Sequence, residues 1–216
     1  MTNISSTVWI DISIPIKDKM IAWPGNSEAE VRRDMEIARG DTANLTHLDI
    51  SAHTGTHMDA PLHFIDDGKD ISRIPLSAVV GETRVIEIPD VDVIEVADLE
   101  KHNIKKDERV LFKTKNSNAN WDEEPFNEDF VYLSTEAAEY LANLEVQTIG
   151  IDYLSISGFQ KNEVRVHKAI LEAGIWVIEG LNLMGINPGK YELVCLPLKI
   201  LNGDGAPARA IIRPIV

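Results

Sequence analysis

Residues 147–179 read QTIGIDYLSISGFQKNEVRVHKAILEAGIWVIE. The apolar run at 147–152 predicts a buried strand, and HKAILEA (167–173) has the spacing of a helix that Gly174 closes. IWVIE (175–179) follows as a second apolar strand. One helix standing between two strands sets the class: mixed α and β, with a sheet-based core.

The flanks continue the alternation. TRVIEIP (83–89) and ERVLFKT (108–114) are rich in β-branched and aromatic residues and read as strands, with a short helix over Val96–His102 between them. Ser134 or Thr135 can cap a helix that runs to about Asn143, because Ala137, Ala138, Leu141 and Leu144 fall at helical spacing. LVCLPLKI (193–200) and ARAIIRPI (208–215) predict two further strands around the turn Asn202-Gly203-Asp204-Gly205. Near the start, Val8–Ile16 alternates with Ile10, Ile12, Ile14 and Ile16 on one face and reads as a half-buried strand, and AWPGN (22–26) makes a turn. LTHLDISA (45–52) alternates again, with Leu48, Ile50 and Ala52 sharing a face. The polar segment KNSNANWDEEPFNED (115–129) predicts a surface loop, and Asp122-Glu123-Glu124 within it solvent-exposed charge. Strands outnumber helices. No repeat or linker divides the chain, so residues 1–216 are expected to form a single α+β, strand-rich domain.

Composition narrows the function classes. With 35 acidic and 21 basic side chains the chain carries a formal charge of −14, which argues against nucleic-acid and anionic-membrane partners. The single cysteine, Cys195, has no intramolecular partner and sits in an apolar strand pattern. The N-terminal residues lack a basic leader, and no apolar run approaches the ~18 residues of a membrane span. The expectation is a soluble, cytoplasmic protein acting on a small molecule.

Residues 53–64, HTGTHMDAPLHF, place His53, His57, Asp59 and His63 within eleven positions. Imidazole and carboxylate suit Zn²⁺, Mn²⁺ or Fe²⁺, and no cysteine is near enough for a thiolate zinc site. In a fully extended chain His53 and His57 would stand ~13 Å apart at ~3.3 Å per residue, too far for ligands ~2 Å from one ion. The chain must therefore curl. Gly55 permits a tight conformation and Pro61 a bend, while a helical turn would also bring residues i and i+4 together. His167 and Glu179 form a second candidate pair: His167 opens the predicted helix, and Glu179 ends an apolar strand where a carboxylate needs a partner. That partner is a cation or, equally well on spacing alone, the histidine itself. Trp23 offers either an aromatic wall for a planar substrate or packing beside its turn.

The string HTGTHMDAPLHF resembles the His-x-Gly-Thr-His-x-Asp-x-Pro-x-His signature of the cyclase-like metal-dependent hydrolases, a group that includes bacterial kynurenine formamidases and isatin hydrolases. Trp23-Pro24-Gly25, Gly150-Ile151-Asp152, the His167 to Glu179 interval and LPLKILNGDGAPARA (196–210) follow in the family's order. The resemblance implies a swivelling β/β/α fold, usually dimeric or tetrameric. It also implies two divalent ions, zinc with manganese as the alternative, held by His53, His57, Asp59, His167 and Glu179. Asp59 and Glu179 match the bridging carboxylates, and His63 matches the proton-transfer histidine, a task suited to an imidazole near neutral pH. The implied activity is arylformamidase chemistry on N-formylkynurenine. The same centre could instead open a cyclic amide or lactone, and a non-catalytic module that binds a small carboxylate through the metal is the reading from another class. Around the Trp-Pro-Gly turn and over 152–168 the chain departs from the formamidase pattern: Asn26 stands where an Asp is common, and the stretch after the Gly-x-Asp strand, which in typical formamidases carries further Asp, Pro and Ser residues, here reads DYLSISGFQKNEVRVHK.

Overall fold

In the computed structural model, which describes residues 8–215, twelve strands alternate with four helices. The strands are β1 (Ile10–Asp11), β2 (Glu30–Met35), β3 (Leu45–Asp49), β4 (His57–Asp59), β5 (Val80–Ile88), β6 (Val93–Ile94), β7 (Arg109–Thr114), β8 (Tyr132–Leu133), β9 (Thr148–Ile151), β10 (Trp176–Glu179), β11 (Gly189–Pro197) and β12 (Gly205–Pro214). The helices are α1 (Leu76–Val79), α2 (Val96–Glu100), α3 (Thr135–Asn143) and α4 (Glu163–Glu172). No helix among the described residues is long and apolar enough to cross a membrane.

Eight strands form one sheet in the order β1-β12-β11-β5-β7-β9-β10-β4, and β4 pairs back onto β12. The ring is thereby closed into a strand barrel. The neighbours β5–β7, β7–β9 and β9–β10 are parallel, and the other pairings are antiparallel.

Successive side chains on a strand point to opposite faces, and the two main apolar clusters divide accordingly. Met58, Val85, Leu111, Trp176, Ile178, Leu193, Cys195 and Ala206 fill the barrel interior. Ile86, Val110, Phe112, Ile149, Ile151 and Val177 face outward, where Leu99, Leu141, Val166 and Ile170 of α2, α3 and α4 cover them. Gly150 belongs to the inner face, where a Cβ would come 2.6 Å from Leu111 Cδ2. A third, aromatic cluster joins Trp121, Phe130, Tyr132 and Tyr153, with Trp23, Phe126 and Phe159 packed against it.

The helix predicted to run to Asn143 is α3, with Ser134 accepting from the Ala137 N–H as its cap. Five expectations need correction. The strand expected over Val8–Ile16 is reduced to β1, Ile10–Asp11, with an isolated bridge from Ser13 to Leu181. Helix α4 begins at Glu163 behind the N-cap Asn162, so His167 lies inside the helix rather than opening it. Residues 193–200 are not one strand: β11 starts earlier, at Gly189, held by its pairing with β5, and ends at Pro197. The strand expected over 45–52 stops at Asp49, and β3 pairs only with β2 in a separate hairpin, which leaves Leu48 52% exposed. Segment 115–129 is no simple surface loop. Trp121 is buried and donates its Nε1–H to Leu181 O (3.3 Å), and Asp122 is buried beside Lys17 rather than free in solvent.

Candidate metal centre

The middle of the histidine-rich stretch is β4, the short strand that closes the barrel. His57 and Asp59 are two residues apart and share its outer face, while Met58 between them points into the barrel core. Glu179 stands opposite His57 in the antiparallel pairing with β10, which brings the two side chains together. His57 Nε2 lies 3.3 Å from Glu179 Oε2 and 3.4 Å from Asp59 Oδ1. Helix α4 packs over this face and delivers His167, whose Nε2 is 3.4 Å from Glu179 Oε1 and 3.7 Å from Asp59 Oδ2. The helix and strand on either side of Gly174 thus meet at one site.

His53 returns to the same place through the turn before β4. Gly55 there has φ +67°, a left-handed conformation that a glycine adopts without a Cβ penalty. The His53 and His57 rings end with centroids 5.0 Å apart, and His53 Nδ1 lies 2.8 Å from Asp59 Oδ1. The turn is held against β10 by Gly180, at φ +71°, where an added Cβ would come 2.4 Å from Gly55 O. The sequence left the conformation of 53–63 open; it is a left-handed turn, then a strand, then a 3₁₀ turn over Pro61–His63.

Each histidine is oriented through its far nitrogen. His57 Nδ1–H donates to Gly55 O (2.8 Å) and His167 Nδ1–H to Glu163 O (2.9 Å), which leaves the Nε2 lone pair of each directed at the carboxylates. His53 Nε2–H donates to Asp204 (3.0 Å), leaving Nδ1 for Asp59. These residues fit a metal centre. His57 Nε2 and both carboxylate oxygens of Asp59 are fully buried with no hydrogen-bond partner among the described residues, a costly state that a cation relieves. The 2.8 Å approach of His53 to Asp59 is also not aligned as a hydrogen bond. Ligand atoms of His53, His57 and Asp59 lie within 4.8 Å of one another, as do those of Asp59, His167 and Glu179. Asp59 belongs to both groups.

The electrostatics describe the same competition for these lone pairs. Burial alone would lower the imidazole pKa values, but the carboxylates of Asp59 and Asp204 together outweigh it and hold His53 up at about 10. Against the same burial, Asp59 and Glu179 raise His57 to about 9, and Glu179 raises His167. Burial opposes ionisation of Asp59 too, yet the neighbouring imidazoles hold it well below the usual carboxylate range.

His63 stands at the rim, partly exposed, its ring stacked on that of His53 at 4.0 Å. A cavity of about 270 Å³ opens over the centre, lined among others by Trp23, Asn26, Phe64, Leu154 and Ser155. Trp23 does both things expected of it: it lines the cavity while packing edge-on against Phe126 (5.6 Å) and Phe159 (5.4 Å). The sequence reading missed Asp204, taking Asn202–Gly205 only as a turn. Its signal was an acidic residue set between two glycines, the second of which has no room for a Cβ beside His53.

The family model of the Cyclase family, described as "Putative cyclase", matches residues 10–157. The chain is 33% identical to a kynurenine formamidase of Bacillus cytotoxicus over 207 residues, covering 96% of this chain and 98% of that protein. Among solved structures it resembles a "predicted metal-dependent hydrolase" from Bacillus stearothermophilus, with a TM-score of 0.82, 32% identity and coverage of 95% and 97%. Isatin hydrolase A from Ralstonia solanacearum shares the fold, at a TM-score of 0.80, 23% identity and coverage of 95% and 91%. On the family match and the near full-length likeness, the chain belongs to the Cyclase family.

Proposed function

We propose that this chain is a metal-dependent arylformamidase that hydrolyses N-formylkynurenine to kynurenine and formate. The observation that carries the reading is Asp59, a buried carboxylate shared by two groups of ligand atoms and left without hydrogen bonds of its own. The likeness to kynurenine formamidases over nearly the whole chain supplies the substrate class.

His53, His57, Asp59, His167 and Glu179 would hold two divalent cations, zinc with manganese as the alternative. Bound there, such cations would polarise the scissile carbonyl and lower the pKa of water toward neutrality. His63 carries the proton released from water to the departing aryl nitrogen, so that formate and the free amine leave together. Its partly open position at the rim supports that task, since it must face both the centre and the substrate. Trp23, braced by Phe126 and Phe159, lines the cavity and offers an aromatic surface for a planar ring.

The same reading takes residues 1–216 as one domain of the swivelling β/β/α type, supported by the closed barrel and the helices that cover its outer face. It also takes the protein as a cytoplasmic homodimer or homotetramer. The β2–β3 arm, with Ile37, Leu45 and Leu48 each at least 50% exposed, supports self-association.

The test is hydrolysis of N-formylkynurenine by zinc-loaded and manganese-loaded protein, with His63→Ala alongside and metal content measured on each. Turnover that vanishes in the variant at unchanged metal content is the expected result. No turnover by protein holding two metals per chain would reject the substrate and move the search to cyclic amides and lactones.

A further inference from the structure

Asp204 sits in the turn before β12, outside the two groups of ligand atoms that share Asp59 but grouped with His53 and His63, whose ligand atoms also lie within 4.8 Å of its own. Its Oδ2 lies 3.0 Å from His53 Nε2 and 3.4 Å from His63 Nδ1, at one end of the two stacked rings. From this arrangement we infer that Asp204 is a positioning residue that fixes the tautomers of His53 and His63 together. The inference rests on the roles proposed for those two histidines.

A carboxylate only accepts hydrogen bonds, so the nitrogens facing it must both carry protons. That assigns the N–H to Nε2 of His53 and to Nδ1 of His63. In the metal-loaded protein the opposite nitrogens are then the ones without a proton: Nδ1 of His53, 2.8 Å from Asp59, and Nε2 of His63. One oxygen therefore presents a ligand lone pair at the centre and, on the next ring, the nitrogen that takes up and delivers the proton. The His63 contact is long for a hydrogen bond, as contacts of proton-transfer groups often are before substrate is bound.

The side chain of Asp204 is 46% exposed, so surrounding packing does not hold it. Its backbone does. Ala60 N–H donates to Asp204 O (2.9 Å) and Ile71 N–H to Gly203 O (2.8 Å), while Gly205 stands opposite Asp59 in the β12–β4 pairing. A Cβ on Gly205 would come 2.7 Å from His53 Cε1, so the glycine is what lets the turn close on the ring. The placement of this carboxylate is thus tied to the same strand that carries the ligands.

The first test needs no variant. In zinc-loaded protein, nitrogen-15 spectra of the imidazoles should show His53 protonated at Nε2 and His63 at Nδ1. A proton on Nε2 of His63 with Nδ1 bare would overturn the inference. The second test is Asp204→Ala, which removes the acceptor that faces both rings from a side chain exposed enough to carry little packing. The variant should keep two metals per chain, bind one of them roughly 10-fold more weakly in chelator competition, and lose roughly 10- to 100-fold in kcat with KM changed far less. Loss of a whole metal equivalent would make Asp204 a ligand, and unchanged metal affinity and kcat would make it a bystander; either result rejects the positioning role. The spectra and the chelator titration require no substrate, so they stand even if N-formylkynurenine is not turned over.

Discussion

His57 and Glu179 face each other across the β4–β10 pairing, each on a strand whose neighbouring side chains fill the barrel or its outer face. Glu179 Oε1 also accepts the Ile156 N–H (2.7 Å), so the carboxylate is held from both sides. Glu179→Gln removes a charge while keeping the shape. It should lower affinity for at least one metal by 100-fold or more, read by chelator competition, because a neutral amide is a much poorer ligand than a carboxylate for a divalent cation. Retention of both metals at unchanged affinity would exclude Glu179 from the centre.

Metal uptake should release protons. With His53 at about 10 and His57 at about 9, both rings are protonated at pH 7 in the metal-free protein, and a cation must displace those protons. Since His167 is raised as well, titration calorimetry in buffers of different ionisation enthalpy should report at least two protons per chain at pH 7, falling toward none above pH 10. The sign for stability follows from the same shifts. Both folded pKa values lie above the ordinary value near 6.5, so the metal-free fold has this stabilisation in full below pH 6.5 and loses it as pH rises through 9 to 10. The metal-loaded protein should not show that loss.

Gly180→Ala tests the backbone crossing beneath the centre. The position needs φ +71°, and a methyl group would meet Gly55 O at 2.4 Å. Strain and displacement together should cost about 1–3 kcal/mol in urea unfolding, with weakened metal binding because Gly55 carries the turn to His53. Wild-type stability would show that the two backbones are free to move apart.

Cys195 lies on the inner face of β11 with no exposed surface, and burial pushes its thiol up to about 12. Native protein should therefore react with thiol reagents only as fast as the barrel opens, and denaturant should release the thiol at once. Fast labelling of folded protein would contradict the closed interior.

Much of this arrangement could be read along the chain. The strands at β5, β7, β9 and β10 and the cap at Ser134 follow from apolar runs and local hydrogen bonding, both short-range properties. The candidate ligand side chains were legible because core packing does not call for imidazoles and a carboxylate at that density, and the structure brings His53, His57, Asp59, His167 and Glu179 together. What could not be read is long-range. β4 has only three residues and becomes a strand because β10 and β12 both bond to it, which no local pattern encodes. Asp204 meets His53 across 151 residues through that same closure. The exposure of Leu48 was hidden for the converse reason: alternation marks a face, but not whether anything covers it.

The closure of the ring by β4 also separates what can change in this protein from what cannot. A slip of one residue in β4 would turn Met58 toward the helices and bury His57 and Asp59 in the apolar interior, losing the fold and the ligands in one step. Insertions and deletions are therefore excluded from the chain between Gly55 and Asp59. Trp23, Asn26, Leu154 and Ser155, which line the cavity, all lie on connections outside the ring of strands and bear none of its pairings. Substitution there can reshape what the cavity admits while the centre beneath it stays as it is, so related chains can exchange substrates without having to rebuild their chemistry.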